Sequence, residues 1–520
     1  MSKKTSRRRF ALITHHSLLI TLVVALATAG AGCGARRTPD LERIFAPARA
    51  RKDKTPVIVI PGILGSQLMN RRTREVVWPS AFRSSTDGLS LPTSPDLAAN
   101  RDELVAERIV ETAKLARLAP DIYVYYELLN ALRRFGDYRD GDWDNPAPDG
   151  DRDTFYVFPY DWRRDNVESA QLLVRRVEEL KRKLGRPDLR FNIVAHSMGG
   201  LVARYAAMYG DADLPADTGL PADTGLPADT AAATPQQPPT WAGARHIRKI
   251  FMFGTPNEGT MEAFATLLEG YSINEGLRRR IRLLNKLSRE DAVTIPSIFQ
   301  LLPHPEAVRV LDHNLAPLAV DFYDPEVWRK YGWSPINDAE FRARYERGEV
   351  RDEEGAPHRA TLADLDAYFA AALARARRFH AALDAHAPAA DDSPDAPPSP
   401  VSLYTFGGDC EETLNAPVVL RDEKRGRWLT LTEPRDIRDA AGRKIKRRDV
   451  IRAMYEPGDG RVTRRSLLGE RLDAPRRSQF FDTPLPIAYG VFACDLHSEL
   501  QNNKTLQDNA LTLLINEVVN

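Results

Sequence analysis

Between Phe191 and Tyr205 the chain reads FNIVAHSMGGLVARY, and few arrangements accommodate it. An apolar, β-branched run leads into one serine, two glycines follow shortly after, and a small-residue helical stretch begins at once. A strand that turns this sharply into a helix has room only for small residues at the bend, and Ala195 and Gly199 supply them two positions either side of Ser197. Such a turn lifts the serine oxygen above the sheet edge. It also aims the amide of Met198 and the helix N-terminus at any negative charge that develops there. A serine that merely caps a helix would need neither the preceding strand nor the glycines. Ser197 is the expected nucleophile.

The surrounding chain supplies the setting such an elbow requires. VIVIPGILGSQL (Val57–Leu68) is a short apolar strand that breaks into a Pro-Gly turn, and DTFYVFPYDWRRD (Asp153–Asp165) repeats the pattern. HIRKIFMFGTP, VSLYTFGG (Val401–Gly408) and LPIAYGVFAC (Leu485–Cys494) read as further strands. Apolar runs of this length suit strands covered on both faces. From Asn166 to Leu184, Val167, Ala170, Val174, Val177, Leu180 and Leu184 share one helical face, with Asn166 placed to cap the start and Gly185 to end it. Helices are also predicted over Thr361–Leu383 and Leu506–Val519. The alternation predicts an α/β fold: a mostly parallel sheet with helices on both faces and its site at the strands' C-terminal ends.

Two stretches break the rhythm. Residues 211–240 contain a repeated six-residue unit, DLPADTGLPADTGLPADT, and are predicted to be a low-complexity surface insertion. Residues 260–400 are arginine-rich and predominantly helical in pattern, and are expected to form a cap inserted into a single domain spanning 55–520.

A serine hydroxyl needs a base, and the base an orienting carboxylate; in α/β-hydrolases they follow the serine in the order acid, then histidine. Beyond Ser197 the histidines are His246, His304, His313, His358, His380, His386 and His497. Only His497, in ACDLHSELQNN, follows the last strand. For the acid, Asp459 sits in a glycine-flanked turn, YEPGDGRV, between the last two strands, and Asp409 in GGDC directly follows the earlier of them. The Pro-Gly turn after the first strand offers a second oxyanion donor, the amide of Ile63, with Leu64 behind it.

The 520 residues are 43% hydrophobic and carry a formal net charge of +1, which leaves no general bias toward nucleic acid. Basic clusters such as GRKIKRRD read as solvated surface. Residues 1–33 have a basic head, an apolar middle and a small-residue end, the layout of an export signal. SRRRFAL resembles a twin-arginine signal, and GAGC resembles a lipoprotein cleavage box that would make Cys33 the lipidated residue, although Gly30 stands where a large aliphatic residue is usual. The protein is therefore expected to leave a bacterial cytoplasm and to reside on a membrane, in the periplasm or outside the cell, with residues 34–54 as a tether. Cys410 and Cys494 either pair in an oxidising compartment or remain core thiols. Cysteine and histidine spacing fits no metal set, and no cofactor is expected.

Taken together, VIVIPGILGSQL, YDWRRD, AHSMGGLVARY, FGTPNEGT, GDGRV and LHSELQNN resemble, in order, the lecithin:cholesterol acyltransferase and phospholipid:diacylglycerol acyltransferase family, which includes lysosomal phospholipase A2. The resemblance implies an α/β-hydrolase that moves an acyl chain from a glycerophospholipid, through an acyl-serine, to an alcohol such as a sterol or diacylglycerol, or to water. It assigns Ser197 as nucleophile, Asp459 as acid, His497 as base, and Ile63 and Met198 as oxyanion donors. It also implies structural or pocket-lining roles for Asp161, Trp162 and Arg163, and a membrane-contacting loop at Trp78, for which a core tryptophan is the alternative. The implied partners are a phospholipid donor, a lipid alcohol acceptor and a membrane surface. A secreted lipase, phospholipase or esterase that only hydrolyses is the alternative, and a non-catalytic surface lipoprotein a third. The insertion and cap match nothing in the family pattern, and Arg461 stands where the acyltransferases commonly carry threonine.

Overall fold

A computed structural model describes residues 38–79, 88–114, 121–215, 238–272, 286–349, 361–385, 399–472, 483 and 485–516. Cys33, most of the hexapeptide repeat and parts of the 260–400 region lie outside the described residues. The chain divides into Met1–Ile44, whose described residues open a short helix, Leu41–Phe45, and Phe45–Asn520, which holds everything below.

The core of the larger unit is a seven-stranded sheet: β1 (Val57–Ile60), β2 (Arg139–Asp140), β3 (Thr154–Val157), β4 (Phe191–His196), β5 (Ile247–Phe253), β6 (Ser402–Gly408) and β7 (Ile487–Ala493). Its order is β2-β3-β1-β4-β5-β6-β7, and every pairing is parallel. β1, β4 and most of β5 are buried, as their apolar runs require. The chain leaves β1 for one side of the sheet and returns to β4 on the other. The loops after β1 and β4 therefore diverge and leave a crevice, the place where open α/β sheets bind ligands.

Among the described residues, the helices that bear on the site are α1 (Tyr126–Arg134), α2 (Asn166–Lys183), α3 (Met198–Tyr209), α4 (Leu362–Asp384), which packs against α3, and α5 (Lys504–Ile515). In α2 the expected apolar stripe is buried from Val167 to Leu180, Leu184 being half-buried at the C-cap, but the N-cap is Asp165 rather than Asn166, its carboxylate accepting the amide of Val167 at 2.7 Å. Asn166 lies inside the helix, and its own amide donates to Gln300 Oε1 at 2.8 Å. Residues 286–349 are mainly short helices joined by small strands, followed after a gap in the described residues by the 23-residue α4, and Phe264, Phe322, Trp328 and Trp333 pack edge to face or stacked among them. Between β6 and α5 the chain also builds antiparallel pairs, Val418–Asp422 with Arg427–Leu431 and Glu411–Leu414 with Tyr455–Gly458. Among the described residues no helix is long and apolar enough to cross a membrane.

Candidate active site

Ser197 sits between β4 and α3 with φ 53° and ψ −127°, a conformation that L-residues avoid and a fold must impose. Its amide is held by Phe253 O at 2.7 Å, so the sheet grips the residue up to the bend. The hydroxyl makes no capping bond to α3, which disposes of the helix-cap alternative. The small residues at the bend have a measurable reason. A Cβ on Gly199 would lie 2.5 Å from Pro61 O and 2.8 Å from Ile60 O, and one on Gly62 would lie 2.8 Å from Ser197 Cβ. The elbow and the loop after β1 touch backbone to backbone.

The structure brings together the three residues expected to act with each other. Ser197 Oγ lies 3.0 Å from His497 Nε2, and His497 Nδ1 lies 2.8 Å from Asp459 Oδ2. All three are buried. Asp459 Oδ1 accepts the amides of Arg461 at 3.0 Å and Val462 at 2.7 Å, while Asp459 O accepts the amide of His497 at 2.8 Å. That carboxylate is fully bonded and can only accept, so His497 carries its proton on Nδ1 and turns a bare Nε2 toward the serine. Asp409, the other candidate acid, is exposed, and the contact with His497 belongs to Asp459.

Pro61–Gly65, the loop after β1, is pinned by aromatic side chains from three places. Tyr160 Oη donates to Pro61 O at 3.0 Å, Trp78 Nε1 donates to Leu64 O at 2.8 Å, and Tyr125 Oη accepts the amide of Gly62 at 2.8 Å. With Gly62 committed, the amide of Ile63 is the next along the loop; among the described residues neither it nor the amide of Met198 meets an acceptor. Leu64 takes φ 64° at the tip.

Of the two readings of Trp78, the structure shows the core tryptophan. Its indole is buried, packs edge-on against Trp162 at 5.8 Å and secures the loop, because an indole N–H away from water needs an acceptor and Leu64 O is in reach. Trp162 is likewise interior and bonds Ser66 O at 3.2 Å. Arg163 is fully buried and forks between Asp161 and Asp102, its Nη2 lying 2.8 Å from Asp161 Oδ2 and 2.9 Å from Asp102 Oδ1. Trp162 and Arg163 are staples rather than pocket walls, since burial of one cation between two anions leaves nothing for a ligand. Asp161 also lines a cavity of about 940 Å³ between α2, α4 and the segment around Leu104. Arg461 stacks on Tyr271 at 4.6 Å and pairs with Glu262 at 3.3 Å. Cys410 and Cys494 form a disulfide, Cα–Cα 5.2 Å, just beyond the ends of β6 and β7.

Sequence patterns missed Tyr125, Tyr160 and His196. His196 is the residue before Ser197; its Nδ1 lies 2.8 Å from Tyr125 Oη and its Nε2 lies 3.1 Å from His497 O. Burial first, and the neighbouring His497 second, push its pKa down to about 3. Burial raises the Tyr125 hydroxyl above its usual range, so it keeps its proton.

Comparison with known proteins agrees with this architecture. The lecithin:cholesterol acyltransferase family model matches residues 150–346, which include the elbow. No curated protein matches the chain. Among solved structures, a chain from the crystal structure of the Tle4–Tli4 complex aligns at a TM-score of 0.51 and 14% identity, over 89% of this chain and 98% of its own, which is a likeness of fold. The lipase BlEst2 of Bacillus licheniformis, in mature form, aligns over 89% of this chain and 92% of its own at 10% identity, but its TM-score of 0.29 supports no inference. The parallel sheet, the strand–serine–helix elbow and the match over residues 150–346 agree on an α/β-hydrolase fold that is similar, over that segment, to the lecithin:cholesterol acyltransferase family.

Proposed function

We propose that the protein is a serine-dependent lipid O-acyltransferase, working through Ser197, His497 and Asp459. The observation that carries this is the pair of contacts at 3.0 Å and 2.8 Å that links serine to imidazole to carboxylate. Ser197 Oγ attacks the ester carbonyl of a glycerophospholipid while His497 Nε2 takes its proton. The amides of Ile63 and Met198 receive the oxyanion, each such donor being worth about 3–4 kcal/mol of transition-state stabilisation. The ester C–O bond breaks, His497 returns the proton to the leaving glycerol oxygen, and an acyl-serine remains. An acceptor hydroxyl, from a sterol, diacylglycerol or long-chain alcohol, then gives its proton to His497 and attacks the acyl carbon. Ser197 leaves with that proton. With water as acceptor the product is a fatty acid, which makes phospholipase activity the side reaction of the same site.

The proposal extends to place and organisation. Residues 1–33 direct export, Cys33 is the lipid attachment point, and residues 55–520 act as one catalytic domain whose 260–400 region shapes the acceptor pocket. A disulfide between Cys410 and Cys494 suits an oxidising compartment. Loss of the membrane-bound fraction in Cys33→Ala would support anchoring; an unchanged distribution would remove it.

The test of activity uses phosphatidylcholine vesicles with a labelled acyl chain, each candidate alcohol in turn, and the protein with or without Ser197→Ala. Labelled ester that depends on Ser197 establishes the transferase and names its acceptor. Labelled fatty acid alone assigns a hydrolase. Product from both proteins, or from neither, refutes the serine mechanism.

A further inference from the structure

The mechanism above leaves two buried polar residues beside the nucleophile unused. Tyr125 and His196 stand in one hydrogen-bonded series that begins at the oxyanion loop and ends at the base: Gly62 N, Tyr125 Oη, His196 Nδ1, His196 Nε2, His497 O. Each polarity along it follows from its end. A carbonyl oxygen only accepts, so His196 carries its proton on Nε2 and donates to His497 O. A neutral His196 then has a bare Nδ1, which accepts a hydrogen bond from the Tyr125 hydroxyl. The tyrosine oxygen is left to accept the Gly62 amide. No group in the series can be reversed without stranding a donor.

We propose that Tyr125 and His196 are positioning residues that couple the oxyanion loop to the base. Their bonds turn the Gly62 amide away from the nucleophile and fix the backbone of His497. This rests on the serine mechanism proposed above.

Three further features support the coupling. The backbone of His497 is held from both sides, its N–H by Asp459 O and its C=O by His196, which fixes the point from which its ring makes the 3.0 Å contact with Ser197. The His196 and His497 rings lie 5.0 Å apart, close enough that a charged His196 would oppose the imidazolium formed on His497 during turnover. A neutral relay avoids this. Gly62, whose amide opens the series, has no room for a side chain against Ser197, so a small rotation of that peptide reaches the reaction centre directly.

Tyr125→Phe removes the hydroxyl and keeps the ring. The parent, Tyr125→Phe, His196→Gln and Ser197→Ala are compared with a soluble ester and an alkylboronic acid, whose tetrahedral serine adduct places an oxygen where the oxyanion forms. For Tyr125→Phe the expected result is a fall in kcat of roughly tenfold or more, short of the 10²–10³ for outright loss of a donor. KM should stay within about twofold, and boronate affinity should fall in step with kcat/KM. A parental kcat with unchanged boronate affinity overturns the relay even if the melting temperature drops, since a purely structural role moves stability alone. His196→Gln, which can still donate to His497 O but lacks the ring acceptor for Tyr125, should show the same split and decides the matter if Tyr125→Phe does not fold. Turnover surviving in Ser197→Ala refutes the serine mechanism itself. Turnover lost there but parental in both relay variants refutes the relay alone.

Discussion

Asp459→Asn changes no shape and one proton, and the structure dictates how the asparagine must sit. Asp459 Oδ1 receives two backbone amides, Arg461 and Val462, while Oδ2 faces His497 Nδ1 at 2.8 Å. An asparagine has one carbonyl oxygen and one NH2 to divide between these places. With the oxygen toward the amides, both backbone bonds survive and the NH2 faces His497. The reverse keeps one bond and sets the NH2 against two N–H groups. At about 1 kcal/mol net per bond and 1–3 kcal/mol for each of two stranded donors, the first orientation is favoured by roughly 3–7 kcal/mol. His497 Nδ1 must then accept, its proton moves to Nε2, and Nε2 points a hydrogen at Ser197 Oγ where a lone pair is needed. A base held in the wrong tautomer loses about 10⁴ in kcat, or about 5.4 kcal/mol of barrier. Ester turnover with active-site titration is the assay, with Asp409→Asn, at an exposed position, as the control expected within about twofold of the parent. An Asp459→Asn variant that folds and turns over within tenfold of the parent would refute the assignment of the acid.

Three other outcomes follow from the geometry. Gly199→Ala puts a methyl 2.5 Å from Pro61 O, so the elbow and oxyanion loop must part; kcat/KM should fall by about 10² or more, and parental kinetics would show that the two need not touch. Full reduction of the Cys410–Cys494 disulfide, which closes a loop 84 residues long in sequence separation, should cost about 4 kcal/mol of unfolding free energy; denaturant curves with and without reductant measure it, and coincident curves would show that the bridge contributes nothing. The folded pKa of His196, about 3, lies below the roughly 6.5 of an unfolded histidine, so acid favours the unfolded chain. Relative to His196→Gln, the parent should lose roughly 1.4 kcal/mol per pH unit as pH falls from about 6 toward 3, with a constant difference above pH 7; a difference that stays flat through that window would mean His196 is not held neutral.

Where chemistry is written in neighbouring residues, the sequence was informative. The elbow, the apolar run of β1 and the stripe of α2 each show as a pattern over neighbouring positions, whatever they later touch, so pattern alone locates them. Asp459 against Asp409 was different: both follow a strand and both sit beside glycines, and only the antiparallel pairing of Glu411–Leu414 with the distant Tyr455–Gly458 decides which one reaches His497. β2 has two exposed polar residues and no apolar signal, because an edge strand two residues long buries nothing. Trp78 leaves two readings open because a tryptophan before a proline reads the same whether its indole meets lipid or Leu64 O. Tyr125 and Tyr160 were invisible for a related reason. Tyr125 lies 71 residues from its partner His196 and Tyr160 lies 99 from Pro61, and neither pairing leaves a periodic trace.

The bend at Ser197 has a thermodynamic side. A serine at φ 53° and ψ −127° sits on ground costing about 1–3 kcal/mol, which the rest of the fold must supply. Glycine tolerates that conformation, although it also gives the unfolded chain more freedom. Ser197→Gly should therefore unfold at least as reluctantly as the parent, by up to roughly 1–2 kcal/mol, while losing all turnover; a clear destabilisation would mean that the bend is unstrained. Selection for robustness alone would favour a dead enzyme here. The nucleophile persists only where its chemistry is worth more to the cell than the stability it takes away.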